Sequence, residues 1–160
     1  MSKQTSDLSD LFYETLKDIY FAEKQILSAL PEMAKNAQSD ELRTAFETHR
    51  DETRGQIERL DQIFELIDKP TQEKTCVAIV GMIDESKEVM EDFADTNALD
   101  AGILAAAQAV EHYEISRYGT LKTWAQQLGL TDVVGLLEDT LMEEKKTDEL
   151  LSKLANPKAA

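Results

Sequence analysis

Glu111 and Glu114 stand on consecutive positions of an otherwise largely apolar stripe, and that placement limits what this chain can fold into. The stripe runs Leu104, Ala107, Glu111, Glu114, Tyr118, Leu121, Ala125, Leu128, in steps that alternate three and four residues. Such spacing puts these side chains on one face of an α-helix, the face that turns toward neighbouring helices. A carboxylate buried alone in a bundle core is very costly, so burial demands a proton, a cationic partner or a metal.

Three further stripes share the interruption, the first and the last with the same strict alternation and the middle one with two successive steps of four. Phe12, Leu16, Ile19, Glu23, Ile26, Leu30, Met33 and Ala37 form one, broken only at Glu23. Leu42, Ala45, His49, Glu52, Gln56, Leu60, Ile63 and Ile67 form the next, polar in its middle. Val134, Leu137, Leu141, Glu144, Asp148, Leu151 and Ala155 form the last. Breakers are scarce, with six glycines and three prolines in 160 residues, so the segments should be long.

The expected helices span about 7–37, 39–67, 75–93, 97–128 and 131–155, within one domain over 1–160. Ser6 or Ser9 is expected to cap the first, Ser39 the second and the Asp95–Ala98 segment the fourth, while Gly129 ends the fourth. Pro31, off its stripe, should kink the first helix. The long gap between the second and fourth helices holds a shorter helix. At 1.5 Å per residue that is enough to cross the bundle instead of closing a simple up-down arrangement. The expected fold is all-α: a ferritin-like four-helix bundle of two antiparallel hairpins, with a long crossover carrying the fifth helix.

Sequence distance converts to height along each hairpin. From Glu23 to Gln38 is 15 residues and from Gln38 to Glu52 is 14; from Glu114 to Leu130 is 16 and from Leu130 to Glu144 is 14. Both glutamates of each hairpin therefore lie roughly 21–24 Å from its turn. Carboxylates from four facing helices match the inward ligand set of di-iron and di-manganese bundles, and an oxygen-rich site with a histidine suits iron or manganese. The metal-ligand set expected is Glu23, His49, Glu52, Glu111, Glu114, Glu144 and Asp148, holding two iron or manganese ions. Gln56 reads as a hydrogen-bonding partner, His112 as a surface residue, Glu143 as facing away, and Tyr20 and Tyr118 as core aromatics. A purely hydrogen-bonded polar core is the alternative.

The formal net charge of −15 argues against nucleic acid or an anionic membrane as partner. Cys76, the single cysteine, rules out an internal disulfide and any zinc site built from several cysteines. With no apolar targeting core near Met1 and no membrane-length apolar window, a cytoplasmic protein is expected.

Four segments carry a family resemblance: Asp18-Ile-Tyr-Phe-Ala-Glu-Lys-Gln25; His49-Arg-Asp-Glu-Thr53 with Gln56-Ile-Glu-Arg59; Val110-Glu-His-Tyr-Glu114 with Tyr118-Gly-Thr-Leu121; and Glu143-Glu-Lys145 with Thr147-Asp148. Through them the chain resembles the YciF-like branch of the ferritin-like superfamily, stress-associated bacterial proteins. The resemblance implies a bundle with a crossover helix, a homodimer and a dinuclear metal site. Relatives such as rubrerythrins use Glu-x-x-His on helices two and four. Here the order is His49-x-x-Glu52, and the last helix offers Glu144 and Asp148 with no histidine.

Two functions follow as expectations. One is a ferroxidase- or peroxidase-type oxidoreductase that oxidises metal with oxygen or peroxide in stress protection, its electron donor unidentified. The other is a non-catalytic, stress-induced structural or interaction dimer with a polar core.

Overall fold

The computed structural model describes residues 7–155, which form helices α1 (Leu8–Asn36), α2 (Asp40–Leu66), α3 (Val77–Asp92), α4 (Leu99–Gln127) and α5 (Thr131–Ala155). No strand occurs among these residues. The chain is therefore all-α. Helices α1, α2, α5 and α4 pack around a common core in that cyclic order, and α3 lies against α1 and α4. This is the ferritin-like bundle with one crossover.

Periodicity predicts burial most cleanly on α1, where every stripe residue from Phe12 to Ala37 is buried, Glu23 included, and least well on α2 and α5, where Glu52, Val134 and Asp148 are half-buried and Ala155 is exposed. The helix is continuous through Pro31. Its N-cap is neither serine expected. Asp7 takes that position, and its carboxylate accepts from the Asp10 amide at 3.0 Å while Asp10 accepts from the Asp7 amide at 3.1 Å. Two reciprocal carboxylates satisfy two orphan amides at the positive end of the helix dipole, which a hydroxyl inside the first turn, such as that of Ser9, cannot do. Ser6 lies outside the described residues. Ser39 caps α2, accepting from the Leu42 amide at 3.3 Å. Gly129, at φ +72°, ends α4 in the left-handed region that favours glycine.

The crossover helix begins at Val77, slightly later than the expected 75, with Cys76 as its cap: the sulfur accepts from the Ile79 amide at 3.4 Å. Close seating of α3 on α4 uses Gly102, where an added Cβ would stand 2.5 Å from Val89 Cγ1. At the start of α4 the residue preceding the helix, Ala98, makes no side-chain cap. Asp100 looks outward instead, accepting from the backbone amides of Gln38 at 2.7 Å and Ser39 at 2.8 Å. It ties the α1–α2 turn to the far end of the crossover, so the turns of the two hairpins lie at opposite ends of the bundle and their midpoints coincide.

That clamp carries a prediction. Asp100→Ala strips two charge-assisted hydrogen bonds from a half-buried turn, a loss of about 2 kcal/mol, or about 4–8 °C in melting temperature for a chain of this size. Asp100→Asn, which keeps one acceptor, should recover about half, as calorimetry on the two variants would show.

Candidate metal centre

At the shared midpoint the bundle core turns acidic. Glu23 from α1, Glu111 and Glu114 from α4, and Glu144 from α5 are all at most 1% exposed, and His49 from α2 is 4% exposed. One ligand atom from each of His49, Glu111, Glu114 and Glu144 lies within 4.8 Å of the other three. His49 Nε2 approaches Glu111 Oε1 at 2.7 Å, without the ring N–H direction needed for a well-aligned hydrogen bond. Glu23 sits alongside, its Oε1 accepting from the Tyr118 hydroxyl at 2.9 Å.

The electrostatics of this core are strained. Burial, reinforced by the Glu144 and Glu23 carboxyls, pushes Glu114 well above the usual carboxylate range. Burial does the same to Glu111, with Glu144 adding to it and His49 opposing. Glu23 is raised to about 7, by burial first, against the lowering influence of the neighbouring Glu114 carboxyl and of the Tyr118 hydroxyl. For His49 the largest single influence is burial, which disfavours the imidazolium. Contacts with Glu111 and Glu52 outweigh it and hold the ring well above its ordinary value. Tyr118 is raised by burial and by the carboxylates around it.

The remaining expected residues lie farther out. Glu52, 35% exposed along its side chain, is a rim residue: Oε2 stands 3.9 Å from His49 Nδ1 and accepts from the Thr147 hydroxyl at 3.3 Å. Its carboxyl is held below the usual range, chiefly by His49. Thr53 takes the fully buried place beside it and returns its hydroxyl proton to the His49 carbonyl at 2.7 Å. Asp148 is not brought to the cluster; it faces His112 Nε2 at 2.9 Å and Gln108 Nε2 at 3.5 Å. His112 is on the surface, 66% exposed, as its place off the stripe predicts. Glu143 turns away to a bidentate pair with Arg59, at 2.6 and 3.0 Å, and accepts from Gln56 at 3.4 Å.

One network escaped the stripe reasoning. Tyr113 is half-buried; its hydroxyl donates to Asp18 Oδ2 at 3.0 Å and stands 3.0 Å from Cys76 Sγ. It ties α1, α4 and the start of α3 together. No periodicity along one helix signals it, because its three residues come from separate elements.

The donor set fits a hard divalent metal. Both carboxylate oxygens of Glu114 and Glu144, with Oε2 of Glu23 and Glu111, are buried without a hydrogen-bond partner among the described residues. Native interiors rarely leave so many acceptors orphaned together, and a cation among them resolves the deficit. Oxygen donors with one imidazole form a group with the donor atoms to hold a metal ion.

The model of a family described as a domain of unknown function (DUF892) matches residues 7–160. Protein YciF of Escherichia coli strain K12 is 46% identical over 149 residues, 92% of this chain and 90% of that one. The crystal structure of that stress protein superposes with a TM-score of 0.87 at 43% identity, covering 94% of this chain and 96% of the other. YcfI of Rhodopseudomonas palustris, described as a candidate structural protein, superposes with a TM-score of 0.91 at 45% identity, over 95% and 97% of the two chains.

Proposed function

This chain belongs to the DUF892 family, and from that premise we propose that it is a di-metal carboxylate protein that oxidises iron or manganese with oxygen or peroxide in a stressed cell. The observation that carries the reading is the set of orphaned, buried oxygens of Glu114 and Glu144 within 4.8 Å of Glu111 and His49. Glu111, Glu114, Glu144 and His49 would hold the pair of ions, with Glu23 and the rim carboxylate Glu52 completing the set. Asp148, engaged by His112, is left out of it. Such a pair supplies one electron per ion, enough to reduce dioxygen to hydrogen peroxide, or hydrogen peroxide to two waters, with two protons taken up.

The protein's own residues prepare that chemistry in three ways. Burial keeps Glu111 and Glu114 protonated until a cation displaces the protons, so the site exchanges protons for metal. Tyr118 orients Glu23 through its hydroxyl and leaves Oε2 free. Glu52, ionised and at the rim, offers an incoming cation its first carboxylate.

A structural role with a polar core is the second reading, favoured by what is said of YcfI. Oxidation of added Fe²⁺ separates the two. Protein with the full cluster should outpace Glu144→Ala by at least about tenfold with oxygen or peroxide, the loss of one charged ligand being a large change in barrier. Equal rates would support the structural reading.

A further inference from the structure

A small pocket opens between α1, α3 and α4 and ends on the cluster. Its mouth is framed by Ala29, Ile83, Ala106 and Val110, all half-buried, and its floor is reached past Ile26 and Leu30 to His49 and Glu111. The cavity holds about 20 Å³, against the ~10–15 Å³ that one water-sized molecule requires. Apart from the two cluster residues, the only polar side chain along it among the described residues is Ser86, whose hydroxyl donates inside α3 to the Ile83 carbonyl at 2.7 Å. The ionised rim residue Glu52 is not among its lining residues.

We propose that this pocket is the access route and docking place of dioxygen, and that small residues at its mouth select the oxidant by size and polarity. An apolar diatomic loses nothing on entering such a wall. Hydrogen peroxide has two donors and four lone pairs to satisfy and finds almost no partner before the floor, so its desolvation is uncompensated. A metal cation is excluded for the same reason more strongly, and its route lies at the Glu52 rim. The crossover helix thereby acquires a role, because Ile83 and Ser86 of α3 form one wall of the passage. The oxidant assignment rests on the di-metal reading; the dioxygen-docking assignment does not.

Both halves can be tested apart. In metal-free protein under oxygen pressure, paramagnetic relaxation of methyl protons should be strongest at Ile26, Leu30 and Val110. At Ile26 and Leu30 it should exceed that at Leu121 and Ile63, which are as deeply buried but do not line the pocket, by at least about threefold, the contrast between contact with a docked molecule and its absence. Ala106→Leu places three more carbons at the mouth and should erase that contrast. In iron-loaded protein it should slow dioxygen-driven oxidation at least about tenfold and leave peroxide-driven oxidation within about twofold. Ala29→Leu, on the opposite wall, repeats the test if the first variant folds poorly. Uniform relaxation at all these methyls, or unchanged dioxygen rates in both variants, would overturn the proposal. Methyl contacts in a protein that oxidises no Fe²⁺ would uphold the docking place and defeat the di-metal reading.

Discussion

Glu114→Gln should leave a folded bundle that no longer binds metal stoichiometrically. Burial and the neighbouring Glu144 and Glu23 carboxyls already hold Glu114 neutral in the metal-free protein, so the amide copies its charge and shape. The cost in folding is small, because two oxygens without partners are replaced by an oxygen and an amide nitrogen in the same space. The cost in binding is not. A carboxylate donor at the centre of the cluster is lost, and apparent affinity should fall by at least about a hundredfold, or roughly 2.7 kcal/mol. Metal content by plasma mass spectrometry, together with circular dichroism, separates the two effects. Wild-type metal content in this variant would remove Glu114 from the site.

The metal-free protein should also be more stable at pH 5.5 than at pH 8. Glu23, Glu111 and Glu114 bind their protons more tightly folded than unfolded, so the folded state carries more protons above the unfolded value near 4.5. Stability from these groups is complete below that value and falls as pH rises through the folded values, which for Glu23 is about 7. His49 acts in the same sense: its folded value is raised, so its contribution is complete below 6.5 and is lost as pH climbs. Glu52 opposes, with a lowered value whose contribution is lost only in acid, and its partial exposure screens it. Across this interval Glu23 alone is worth on the order of 2 kcal/mol, enough to lower the melting temperature by about 4–8 °C. Loading with Mn²⁺ should reverse the slope, because uptake releases protons and tightens with pH. Calorimetry at both pH values, with chelator and with Mn²⁺, tests this. A flat chelated profile would mean that the cluster is solvated and ionised without metal.

The helices, their order, the crossover and the acidic midpoint were all legible as periodicity and distance along the chain. An amphipathic stripe is a local property, and a rise of 1.5 Å per residue is indifferent to what surrounds the helix. The deep members, Glu23, Glu111, Glu114 and Glu144, sit where a strict alternation of three and four puts the seam. Members at its edge are different. A straight helix drifts by about 20° per heptad from a seven-residue repeat, so positions one step from the centre line belong to either side. On α2 that drift buries Thr53 and leaves Glu52 at the rim. On α5 it turns Asp148 toward His112. What packs beside each helix decides these cases.

Sequence by itself therefore determined the all-α bundle, the crossover and which four helices bring carboxylates to one level. Tertiary structure alone decided which of those carboxylates meet. It also joined Asp100 to a turn 61 residues away, placed Tyr113 between Asp18 and Cys76, and left an apolar passage ending on His49 and Glu111. Those features arise between elements, from contacts whose partners are far apart in the chain and carry no shared period. A pattern along one helix fixes which face is buried; only the neighbouring helices fix what that face touches.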